Sequence, residues 1–218
     1  MRYIYMLPAA ILVPAIHEFI KALVSTLQGD RTPKAYGYLT LNPFKYIDPI
    51  GLILIVMFSG FGWGNPTPTA ALHYSDRRRG VLLTYTIPVL VTLLLGIVAL
   101  AAVPVIVAAG VPMGGTEFVR IWLFSSIETS PRGIAVLLLF HFGIISINFA
   151  LFNLIPIYPL ATNRLVMIFG RPDTIARFNH YEKHMQIILM GALLFGVISM
   201  IIGPIASYIF HFAWGLVV

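Results

Sequence analysis

Three ionisable residues fall inside one long apolar run near the start of the chain: His17, Glu18 and Lys21, in the string HEFIK. An imidazole followed directly by a carboxylate pairs a metal ligand with a general base. The ring nitrogen holds a zinc ion, and the carboxylate takes the proton from the water that attacks a substrate carbonyl. The zinc motif HExxH closes its clamp with a second histidine four residues on, one helical turn away. Here that position is Lys21, so the string supplies half of the motif and then an ammonium group. On a helix, positions 17, 18 and 21 share roughly one face. Ionisable groups inside a membrane helix cost about 2.5–3.5 kcal/mol each near its centre on insertion scales, so such a cluster marks a candidate site.

The element that carries the cluster is a membrane helix. The 218 residues are 59% hydrophobic and 10% charged, with a mean hydropathy of +0.90, whereas a soluble domain carries about 25% charged residues. Spanning takes about 20 apolar residues, and four runs qualify: Arg2 to Gln28, Gly80 to about Ala109, Gly133 to Leu154, and His184 to about Val218. The first continues past His17 to Leu27 with no small-residue cleavage site, so it reads as an uncleaved helix and not a signal peptide. The last is overlong, and Gly203-Pro204 predicts a kink or a split there. A fifth run, Ile50 to Phe61, is about a dozen residues long, which fits a re-entrant or interfacial segment better than a full span. Ala35 to Leu41, AYGYLTL, alternates aromatic and β-branched residues and predicts a short membrane-associated strand pair.

Charge placement sets the topology. With the short run re-entrant, Arg31, Lys34, Lys45 and Arg77 to Arg79 share one side, joined by Arg164, Arg171, Arg177 and Lys183, while Glu117 and Glu128 balance the opposite loop from Gly110 to Arg132. That is the positive-inside pattern of a four-span protein with its N-terminus outside. The net charge of +6 is thereby assigned to lipid headgroups and not to nucleic acid. Zero cysteines exclude disulfides and thiolate metal sites.

The segments around HEFIK carry a resemblance. Gln28-Gly29-Asp30, YGYLTLNPFKYIDPIG from Tyr36, FGWGNPTP from Phe61 and NFALFNLIPIYPL from Asn148 match, in order, blocks that the short, single-domain bacterial branch of the site-2 proteases carries as GD, GRLTLNP, HIDP, FGWAKPVP and FNLIPIPPLDG. The chain resembles that family of intramembrane zinc metalloproteases from about residue 10 to 165. The resemblance implies that His17 stands for the first zinc-binding histidine and Glu18 for the general base. Lys21 replaces the second histidine, and Ala161 stands where the ligating aspartate belongs. The AGPxxN block reads Thr86 to Val91 without its asparagine, and Tyr46 replaces the histidine of HIDP. Asn148 and Asn153, five apart on the third span, match asparagines that hold extended substrate, or they hydrogen-bond between helices.

The expectation is an all-α integral membrane protein of the plasma membrane: one domain, 1–218, with a site-2 protease core over 1–165 and an interfacial segment followed by a helix or kinked helix pair over 166–218. With two of three ligands gone, no cofactor is expected. Glu18 and His17 become vestigial base and ligand, Lys21 a charge surrogate paired with Glu18, and the protein a pseudoprotease that binds a transmembrane partner or an active relative. The alternative is an active zinc metalloprotease that recruits His141 or His73 as replacement ligands. His180 and His184, four apart in HYEKH, read as a solvated interfacial face.

Overall fold

The computed structural model describes residues 2–108, 131–165 and 180–216. Seven α-helices are described: α1 (Arg2–Leu27), α2 (Thr32–Ala35), α3 (Pro49–Met57), α4 (Arg77–Ala108), α5 (Pro131–Phe152), α6 (Glu182–Leu194) and α7 (Val197–Gly215). Among the described residues four stretches are long and apolar enough to cross a membrane: Ile4–Leu27, Arg77–Ile106, Gly133–Phe152 and Val197–Gly215. Glu117, Glu128, Arg171 and Arg177 lie outside the described residues.

Small residues set the closest approach of the spans. A Cβ on Gly143 of α5 would sit 2.5 Å from Leu100 Cγ on α4, and one on Gly96 would meet Ile147 Cγ1 at 2.9 Å. Between apolar helices in lipid, such backbone approach supplies the van der Waals packing that hydrophobicity cannot. α1 packs against both α4 and α5: Met6, Ala9, Ala10 and Val13 form one buried cluster with Ile145 and Phe149. α7 runs antiparallel to α5. Val136 and Leu137 share a cluster with Trp214, Phe140 meets Phe210 edge-on, and Phe152 lies with Ile198 and Ile202.

The last apolar run breaks at Phe195-Gly196, not at Gly203-Pro204. Gly196 takes φ +72 with open space about it, so the left-handed backbone is what calls for glycine there. The amides of Phe195 and Gly196 close α6 on the carbonyls of Gly191 and Leu193. Pro204 sits within α7, where a bilayer helix tolerates the one lost hydrogen bond.

No strand forms among the described residues: Ala35 closes α2, and Tyr36 to Leu41 runs as turns and bends. The carbonyls that would have paired in a ladder are taken by side chains. Lys45 Nζ donates to Tyr36 O at 2.8 Å, and the single proton of the Tyr46 hydroxyl is shared between Tyr38 O and Thr40 O.

α3 is a nine-residue helix. Asp48 caps it by accepting from Gly51 N at 2.7 Å, with Pro49 in its first turn, the usual N-terminal chemistry. Its backbone touches the segment that follows. A Cβ on Gly51 would fall 1.9 Å from Trp63 O, and one on Gly62 would fall 2.5 Å from Gly51 O. This contact threads Phe61 to Thr69 back toward α1.

Candidate active site

The three ionisable residues of HEFIK lie on the buried face of α1. His17 is 0% exposed, Glu18 5% and Lys21 4%, so Lys21 does not reach out to the membrane surface. Its Nζ donates to both carboxylate oxygens of Glu18, at 3.0 Å to Oε2 and 3.2 Å to Oε1, and lies 5.4 Å from the centre of the Tyr85 ring. Within a helix an i, i+3 pair makes this contact locally. The aromatic face adds attraction for the cation.

Two residues distant in sequence complete the setting. Thr92 of α4 places Oγ1 2.7 Å from Pro88 O and 3.1 Å from His17 Nδ1. A carbonyl only accepts, so the single Thr92 proton goes to Pro88 O. His17 Nδ1 must therefore donate to Thr92 Oγ1, which leaves the lone pair on Nε2. Nε2 is buried without a hydrogen-bond partner. This is the tautomer of a histidine metal ligand, whose other ring nitrogen is held by an outer group. The Phe149 ring stands edge-on to the imidazole at 5.3 Å. From the other side, Thr67 N donates to Glu18 Oε2 at 2.7 Å and Thr67 Oγ1 donates to Glu18 O at 3.0 Å. The hint for Thr92 was its polarity in an apolar span, four residues after Pro88. For Thr67 the hint was its lone amide between two prolines.

A catalytic zinc takes three protein ligands and leaves a position for water. His17 Nε2 is one ready donor, but both Glu18 oxygens are engaged by Lys21. Among the described residues no three His, Asp or Glu side chains gather to hold a metal, so these residues do not fit a zinc ion. His141 is buried in α5 with Nδ1 2.7 Å from Leu137 O. His73, exposed, lies 3.4 Å from Asp30 Oδ1. Among the described residues neither joins His17 in a group of three metal-ligating side chains. His180 and His184 are exposed and both rings meet Tyr181 edge-on.

The two asparagines point to different work. Asn148 donates to Ser59 O at 2.7 Å and lines a cavity of about 370 Å³ between α5 and α7. Asn153 is buried, donates to Phe149 O, and its own carbonyl accepts from Thr162. Below the site, Asp30 is 0% exposed and accepts from Ser25 Oγ, Thr32 N and Ala70 N at 2.8–2.9 Å. Burial opposes its ionisation, but the bonds from Thr32, Ala70 and Ser25 outweigh burial and hold its carboxyl below the usual carboxylate range.

No family model matches the chain, and no solved structure matches it. Two curated proteins are similar. The chain is 30% identical over 212 residues, 94% of its length and 83% of the other's, to the protein named "Putative zinc metalloprotease YwhC" of Bacillus subtilis. It is 34% identical over 90 residues, 38% of its length and 35% of the other's, to "Putative zinc metalloprotease Rip2" of Mycolicibacterium smegmatis. The first match runs through nearly the whole chain, the buried HE pair on α1 and the loop that reaches it included, and so the chain belongs to the site-2 protease family of membrane metalloproteases.

Proposed function

We propose that this protein is a pseudoprotease: a multi-pass membrane protein that keeps the site-2 protease scaffold, holds no catalytic zinc, and binds a transmembrane partner or an active relative. One observation carries the reading. The Lys21 ammonium sits against both oxygens of the Glu18 carboxylate. A general base needs a free lone pair facing water, and a cation bonded to both oxygens repels a second cation. Lys21 is then a fixed charge in place of the ion, and Glu18 and His17 are vestiges of base and ligand. Ala161 replaces the missing aspartate, and Asn148, at the cavity, and Asn153 are the groups assigned to partner binding. The whole of 1–218 is taken as one domain in the plasma membrane.

The same reading takes α3 as re-entrant. Its nine residues reach about 14 Å at 1.5 Å per residue, against about 30 Å of hydrocarbon. Ser75 N donates to Gln28 O at 3.0 Å, which ties the start of α4 to the end of α1 and supports entry and exit on one side.

A second reading, an active zinc enzyme, is favoured by the free Nε2 of His17 and by the names of the relatives. Metal content separates the two. Detergent-purified wild type is expected to carry no stoichiometric zinc, and Lys21→His with Ala161→Asp to gain it. Zinc at one per chain in the wild type, with peptide cleavage lost in Glu18→Gln, would replace the pseudoprotease by the enzyme.

A further inference from the structure

Pro66-Thr67-Pro68 has one backbone N–H in three residues, because proline has none. Proline also fixes its own φ and restricts the residue before it, so the segment loses little freedom when it is placed. That one N–H is aimed at Glu18 Oε2, 2.7 Å away, and the Thr67 side chain anchors to the backbone of the same residue. On each side of it the loop is tied down again. Asn65 N donates to Tyr46 O at 2.8 Å, while Asn65 Nδ2 donates to Tyr38 Oη at 3.1 Å and Lys45 O at 3.2 Å. Thr69 Oγ1 pairs with Tyr85 Oη at 2.7 Å, and Ala70 N donates to Asp30 Oδ2 at 2.8 Å. Gly64 lets the loop lie directly on α1: a Cβ there would meet Tyr46 O at 2.9 Å and Pro14 Cβ at 3.0 Å.

We propose that residues 64–69 are a built-in plug, latched by Asn65, whose Thr67 amide closes the Glu18 carboxylate against water and against any polypeptide that approaches it. The proposal rests on Glu18 being the carboxylate of the site, and it deepens that reading by naming what shuts it. It also holds whichever group occupies the Lys21 position, because the Thr67 bond reaches Glu18 from outside α1. Opening then means releasing Thr67 from Glu18 and Asn65 from Lys45 and Tyr46, a local event that leaves the bundle packed.

The chain has no cysteine, so single thiols report cleanly. Thr67→Cys keeps the amide that bonds Glu18 and puts a thiol at a position 4% exposed. Ser75→Cys is an exposed control and Ala150→Cys a control buried in α5. Each is reacted, in full-length protein in detergent, with a water-soluble maleimide. Thr67→Cys is expected to react about a hundredfold slower than Ser75→Cys, and adding Asn65→Ala, at a partly exposed position, to speed it about tenfold with Ala150→Cys still inert. Reaction of Thr67→Cys as fast as Ser75→Cys overturns the plug. So does a rate unmoved by Asn65→Ala, or one that rises only together with Ala150→Cys, since opening would then be global unfolding. Zinc content is read separately, so a failure of the pseudoprotease reading and a failure of the plug appear in different measurements.

Discussion

At the residue scale, the weight falls on pairs that are costly to break. Removing one partner of a buried ion pair leaves the other charge without compensation, at about 3–5 kcal/mol, whereas replacing both by neutral groups comes out near neutral. Lys21→Met is therefore expected to lower stability by about that amount, and Lys21→Met with Glu18→Gln to regain most of it; a double-mutant cycle in denaturation checks this. Asp30 adds a pH dependence. Its folded pKa lies below the ordinary 3.8, so its stabilisation is present above that value and is lost as pH falls below 3.8 through the folded pKa. Asp30→Asn should be less stable at neutral pH by about 1–3 kcal/mol, the cost of unsatisfied buried donors, and the gap to wild type should narrow below about pH 4. The HEFIK cluster was legible because charge in an apolar run is rare. Its partners were not: Thr67 lies 49 residues from Glu18 and Thr92 lies 75 from His17, and hydrogen bonds at that separation leave no local pattern.

At the element scale, periodicity and length gave the spans, because a helix in lipid must be both long and apolar. Glycine was harder to read. Gly196 and Gly203 look alike in sequence, and the proline beside Gly203 drew the expected break to the wrong one. The strand pair failed for a related reason: alternation at Ala35 to Leu41 says nothing of Lys45 and Tyr46, whose donors take the ladder carbonyls. The contact of α3 with Phe61 to Gly64 rests on Gly51, where an added methyl would fall 1.9 Å from a backbone oxygen that cannot rotate away. Gly51→Ala is expected to destabilise by about 3 kcal/mol or more, the upper range of overpacking. It should also loosen the loop at Glu18, read as faster exchange of the Asn65 and Thr67 amides.

At the scale of the whole molecule, the orientation proposed above for the bilayer is supported by two independent observations. Arg31, Lys34, Lys45 and Arg77 to Arg79 flank α3 on both sides in sequence, and the positive-inside rule places them on the cytoplasmic side only if α3 does not cross. The hydrogen bonds from Ser75 to Gln28 and from Ala70 to Asp30 bring the end of α1 and the start of α4 to one level, as a re-entrant excursion requires. On that reading α4, with its 30-residue candidate span, carries the chain to the other side. Single cysteines at Leu41 and Ser75, both exposed, are expected to be blocked by a membrane-impermeant maleimide only after cells are opened, and one at Thr116 to be blocked in intact cells. If Leu41 and Ser75 label from opposite sides, α3 crosses. The site would then lie between five spans, and the shared basic face would have to be given up.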